Sequence, residues 1–163
     1  MNGTEFTLAT FAGSPGAPFA AIVLGDTALA IGNVYSAYRD SPRGKSGPLT
    51  ATASILGLLE GWDHNFPVLQ EIVAFIEQEG VESDRFEGAI AKTSDLRVMA
   101  PIQRPGKIFN AAQNFQAHVD EMINAGMTPK DGPKFTGEKS TTIPYLFLKA
   151  PSALAGAYDD IAI

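Results

Sequence analysis

Apolar residues open the chain in short β-rich runs. Residues 5–12 and 19–24 are rich in Phe, Thr, Ile and Val, with Gly13-Ser14-Pro15-Gly16-Ala17-Pro18 between them, which predicts two strands joined by a turn. Gly25-Asp26 predicts a second turn and 27–34 a third strand, so the start reads as a small antiparallel meander. Residues 39–48, with Arg39, Arg43 and Lys45 among prolines and glycines, read as a polar loop. From Thr50 the spacing becomes helical through Ile55, Leu58 and Leu59, up to Gly61. A second helix is expected with Asn65 as its cap and Pro67 in its first turn, where a missing N–H leaves no intrahelical bond unmade. Its core stripe is Leu69, Ile72, Val73 and Ile76, and Gly80 ends it. Trp62 and His64, at the junction, read as a packing residue and a surface residue.

Residues 82–92 are charged and irregular, and a strand is expected at 96–100. Pro101-Ile102-Gln103-Arg104-Pro105-Gly106 then breaks the pattern and predicts a boundary near residue 101. Beyond it, 107–112 reads as a strand and Asn114 as the cap of a helix that Gly126 terminates. On that helix Phe115, Val119, Met122 and Ile123 form an apolar stripe, while His118 and Glu121 lie about 60° apart beside its edge. Asp120 and Asn124 project away from the pair. The fold class expected is α+β, with a small amino-terminal α+β domain over 1–100 and a second domain beginning at 101.

An imidazole beside a carboxylate has its tautomer and orientation set by that neighbour and can act as a general base. Spacing alone does not separate this from a minor surface contact. Apolar residues make up 45% of the 163 residues and charged ones 18%, enough to build a core. The formal charge of −6 argues against broad nucleic-acid or anionic-membrane binding and suits a divalent cation better. With no cysteine there is no disulfide, thiolate metal site or cysteine nucleophile. No apolar run approaches the ~20 residues that cross a bilayer. A cytoplasmic location is the expectation.

The stretch Asn114-Phe115-Gln116-Ala117-His118-Val119-Asp120-Glu121-Met122 resembles the Asn-Tyr-x-x-His-x-x-Glu-Met stretch of the fumarylacetoacetate hydrolase superfamily. Tyr145-Leu146-Phe147-Leu148-Lys149-Ala150-Pro151-Ser152-Ala153-Leu154 is similar to that family's Leu-Phe-Leu-Lys-Pro-Pro-Ser-Ala-Leu run, and 156–161 to the Gly-x-Asp-x-Ile that follows. The resemblance covers 105–163 well and the first hundred residues loosely. It implies that 101–163 is the start of a β-rich catalytic roll, incomplete in this chain, whose dyad is His118 and Glu121. It also implies Mg²⁺ or Mn²⁺ held by two glutamates and an aspartate, with those ligands expected beyond Ile163 and none in this chain.

The implied activity is cleavage of a C–C bond in a 1,3-diketo or 2-oxo acid of acylpyruvate type, with decarboxylation or isomerisation as relatives of the same chemistry. A small-molecule substrate and a homodimer are the expected partners. Gln113 stands where many relatives carry arginine, so a neutral amide would face an anionic part of the substrate. Lys149 lies on the strand that borders the family's pocket; substrate contact and a packed stem with a solvated ammonium are both open. Ala150 departs from the family's first proline. The polar segment 126–140 is a solvated loop or a lid. A catalytically inactive fragment or binding module of the same family is the alternative from another class.

Overall fold

The computed structural model describes residues 5–13, 15–44, 47–112, 115–127 and 146–161. They form two compact units, one made of 1–104 with 154–163 and the other of 105–153.

The first unit is mixed α/β. Strands β1 (Thr7–Ala12), β2 (Pro18–Leu24), β3 (Thr27–Ala30), β4 (Ile90–Lys92) and β5 (Arg97–Val98) make one antiparallel sheet in the order β4-β3-β2-β1-β5. The predicted meander is therefore present. Gly25 and Asp26 connect β2 to β3 with Leu24 paired to Thr27, and Gly25 takes φ +62, a conformation that costs glycine nothing.

The third strand ends earlier than expected. From Ile31 the chain is helical, as α1 (Ile31–Arg39), because Ile31, Val34 and Tyr38 recur at three- and four-residue steps and bury together on one face. That stripe overrides the β-branched character that suggested a strand through Val34. Helix α1 also takes in Arg39, so the polar connection begins at Asp40.

Helices α2 (Ile55–Glu60) and α3 (Trp62–Glu79) follow. Ser54 caps α2, its side chain accepting from the Gly57 N–H. The stripe on α3 is as expected, with Leu69, Ile72, Val73 and Ile76 all buried, and Gly80 closes the helix at φ +85. Asn65 is not the cap. The helix starts one turn earlier, after Gly61, whose carbonyl accepts from the Asn65 N–H at 2.8 Å, and Pro67 lies within the helix rather than in its first turn.

Asn65 is instead a buried connector. Its amide oxygen accepts from the Thr50 N–H at 3.0 Å, and its amide nitrogen donates to Thr50 Oγ1 at 2.8 Å and to the Leu58 carbonyl at 2.9 Å. Three groups from the preceding loop and helix are thus satisfied by one side chain, which is the condition for burying an amide. Gly61 is small for the same reason, since a Cβ there would stand 2.6 Å from Thr50 Oγ1. His64 closes the loop from outside, with Nε2 2.7 Å from the Pro48 carbonyl oxygen, and the Trp62 ring packs 5.0 Å from that of Phe66.

One sheet face, carrying Ala20, Ile22 and Leu29, packs against the stripes of α1, α2 and α3 and against Phe86. Phe11, Ala21 and Ala28 are buried on the other face, with Phe19, Val23, Leu96 and Val98 around them. At the β5 edge, Met99 N–H donates to the Thr10 carbonyl at 2.9 Å, and Thr10 Oγ1 donates to the Pro101 carbonyl at 2.7 Å. The segment 154–161 returns to the same edge. Arg97 donates from Nη2 and Nε to Asp159 Oδ1 at 2.6 and 3.2 Å, and Asp159 Oδ2 accepts from the Gly156 N–H at 2.9 Å.

Among its described residues the second unit carries a two-stranded antiparallel sheet, an α-helix and a 3₁₀ turn at Pro151–Ala153. Strands β6 (Ile108–Ala111) and β7 (Leu146–Lys149) pair with Ile108 opposite Lys149 and Ala111 opposite Leu146. Helix α4 (Gln116–Asn124) lies between them in sequence. Among the described residues no helix is long and apolar enough to cross a membrane.

Truncating Asn65 to alanine is expected to cost about 1–3 kcal/mol, because the Leu58 carbonyl loses a buried donor together with the two part-buried bonds to Thr50. Urea denaturation checks this, and a loss below about 0.5 kcal/mol would contradict the role assigned to Asn65. Arg97 and the Gly156 N–H hold the Asp159 carboxyl below its ordinary value of 3.8. Its contribution to stability is therefore complete above 3.8 and is lost as pH falls through the depressed value. An NMR titration of the Asp159 carboxyl carbon should give a midpoint below 3.8, and one at or above it would exclude the contact.

Candidate functional site

Helix α4 is a short amphipathic element closed at its carboxyl end and buried along one line, with no side-chain cap at its start. Of its apolar stripe only Val119 is buried, while Phe115 and Ile123 stay exposed. Phe115 occupies the cap position, and Asn114, the expected cap, lies outside the described residues. At the other end Gly126 N–H donates to the Ile123 carbonyl at 3.0 Å and Met127 N–H to the Met122 carbonyl at 2.9 Å. This is a Schellman closure with Gly126 in the left-handed region at φ +68, the terminator read from the sequence.

One helical turn brings His118 and Glu121 together. Nδ1 of His118 stands 3.7 Å from Oε2 of Glu121, and the two side chains are 58% and 79% exposed. That separation is electrostatic contact rather than a formed hydrogen bond. A side-chain adjustment below 1 Å would close it, and catalytic hydrogen bonds commonly tighten only when substrate is bound. With Nδ1 turned to the carboxylate, Nε2 is the nitrogen available to a water or a substrate proton. Asp120, expected to be solvated and apart from the pair, accepts from Gln116 Nε2 at 2.8 Å on a different line of the helix.

Lys149 ends β7 opposite Ile108 and is exposed, with no ion pair to another described residue. Gln113 lies outside the described residues, as does most of the 126–140 segment. Among the described residues no three His, Asp or Glu side chains converge as a metal site. His118 and Glu121 supply two donors, short of the set a structural or catalytic divalent ion requires. The described residues therefore do not by themselves fit Mg²⁺ or Mn²⁺.

Contrary to the expectation that no Glu-x-Glu occurs in these residues, the chain contains one, Glu77-Gln78-Glu79. It ends α3 in the first unit, and Glu79 accepts from Arg85 Nε at 3.0 Å. A cleft of about 820 Å³ also belongs to the first unit, lined by Phe6, Leu8, Val23, Trp62, Phe66 and Gln70 among others. None of the sequence-predicted site residues lines it.

No family model matches the chain. Over 105 residues it is 30% identical to a maleylpyruvate hydrolase from Aquipseudomonas alcaligenes, an alignment covering 64% of this chain and 34% of that protein. The chain thus spans about a third of the length of the curated relative it matches.

Replacing Gly126 with alanine should cost the end of α4 about 1–2 kcal/mol, the penalty for forcing a Cβ into the left-handed region. Faster amide exchange at Ala125 to Met127 is the expected readout; unchanged protection would mean that the helix end does not depend on this glycine.

Proposed function

We propose that this chain is part of a metal-dependent hydrolase or lyase of the fumarylacetoacetate hydrolase superfamily, cleaving a C–C bond in a 1,3-diketo or 2-oxo acid. The observation that carries the proposal is the His118–Glu121 pair, 3.7 Å apart on a helix whose residues match the family's dyad stretch. Similarity to a maleylpyruvate hydrolase supports it and directs the substrate toward acylpyruvates.

In this reading Glu121 orients the His118 ring through Nδ1, and Nε2 takes a proton from water. The hydroxide so formed adds to the acyl carbonyl. The C–C bond to the neighbouring methylene then breaks, releasing the acyl half as a carboxylic acid. The electron pair stays on the other half as an enolate, and the proton held at Nε2 returns to its carbon to give a 2-oxo acid. Lys149 and Gln113 are assigned to the substrate's carboxylate, the first by charge and the second by its amide N–H groups. The divalent cation that the resemblance implies is Mg²⁺ or Mn²⁺, a Lewis acid for the dicarbonyl oxygens. A cytoplasmic homodimer completes the proposal.

The exposure of both dyad side chains favours one second reading, a member of the family that keeps the helix without turnover. The experiment that separates them is His118→Ala in the full-length protein, assayed on maleylpyruvate. Loss of about 10²–10⁴-fold in kcat with an unchanged circular dichroism spectrum is expected, the range for removal of a general base. Glu121→Gln should retain more activity, because it removes the orienting group and leaves the base. A His118→Ala variant as active as the wild type would overturn the dyad, and a wild type without turnover would favour the second reading.

A further inference from the structure

Trp62, Phe66 and Gln70 follow one another at four-residue steps along the edge of the core stripe of α3, and all three line the cleft of about 820 Å³ in the first unit. Phe66 is the shared neighbour in a row of three rings. Its centroid is 5.0 Å from that of Trp62 and 6.3 Å from that of Phe6, at interplanar angles of 34° and 27°, yet Phe66 stays 37% exposed. Folding therefore leaves aromatic surface in contact with water here. Glu5 is the one ionisable side chain among the described residues that line the cleft, and it has no ion pair to another described residue.

We propose that this cleft is a binding site for a small organic cation with a flat apolar body, an arylalkylammonium in chemical class. A volume of about 820 Å³ lies within the range of small-molecule sites, which pair an apolar lining with a few polar groups that fix orientation. The ligand's ring covers the Phe6, Phe66 and Trp62 row and releases the water held there. Its ammonium faces the Glu5 carboxylate, and the Thr7 hydroxyl and the Gln70 amide oxygen, also in the lining, are acceptors for its remaining N–H groups. A carboxylate with no arginine or lysine beside it attracts a cation and repels an anion, and the formal charge of −6 acts in the same direction. The oxo acids of the proposed function are thus the wrong ligands for this cleft, and the inference does not rest on that function. A second copy of the chain fits less well, because a two-fold contact on this face would set Glu5 toward its own equivalent.

Trp62 is the single tryptophan of the 163 residues, so its fluorescence reports on the cleft directly. Titration with phenethylammonium at neutral pH should change that fluorescence saturably, with a Kd on the order of a millimolar, ordinary for a ligand of this size. Phenylacetate, with the same ring and the opposite charge, should give no saturable change over the same range. Glu5→Gln is expected to weaken phenethylammonium about threefold to fivefold, as for an exposed ion pair, while leaving the neutral 2-phenylethanol unaffected. Phe66→Leu, with its fold checked by circular dichroism, should weaken the cation and the alcohol alike. The absence of a saturable response to phenethylammonium, equal affinity for phenylacetate, or an unchanged Kd in Glu5→Gln would each overturn the site. A dimer seen by sedimentation that Phe66→Leu dissociates, with Trp62 insensitive to the cation, would overturn it too and assign the face to a second copy.

Discussion

One helical turn on α4 places an imidazole nitrogen 3.7 Å from a carboxylate oxygen, and the functional account depends on that proximity. The helix is only nine residues long, too short to be stable in water by itself. It persists because Val119 is buried on one side and Gly126 closes the end with two backbone hydrogen bonds. Neither feature touches the dyad, yet both keep residues 118 and 121 on one line. The exposure of the pair sets what it can do: in open water an imidazole and a carboxylate exchange protons with solvent, and chemistry on a bound diketone requires that water be limited.

The first unit shows how much of a fold local pattern can determine. The meander, the Gly25-Asp26 connection and the α3 stripe were legible because each follows from a period or a turn residue acting alone. Ile31 to Val34 was not, since β-branched content and helical spacing point in opposite directions and only the sheet-facing burial of Ile31, Val34 and Tyr38 decides between them. Asn65 shows the same limit from the polar side. A short amide before a proline has the composition of a cap, but its partners are Thr50 and Leu58, which are 15 and 7 residues distant in sequence. No local rule contains that connection.

In the second unit the helix, its stop and the closeness of His118 to Glu121 were readable from a 100° rotation per residue. The ion pair of Arg97 with Asp159 was invisible at that level, because 62 residues separate the partners and Asp159 reads locally as part of a turn. Glu77-Gln78-Glu79 illustrates the converse: it matches the spelling of an acidic metal motif, while its position at the end of α3 and the pairing of Glu79 with Arg85 give it a structural setting.

The most direct measurement of the central claim is the tautomer of His118, read from long-range ¹H–¹⁵N correlations of its ring in the wild type and in Glu121→Gln. The account predicts that the neutral ring carries its proton on Nδ1 in the wild type and loses that preference when Glu121 is neutralised. The same tautomer populations in both proteins would contradict it, because Glu121 would then have no hold on the imidazole it is proposed to orient.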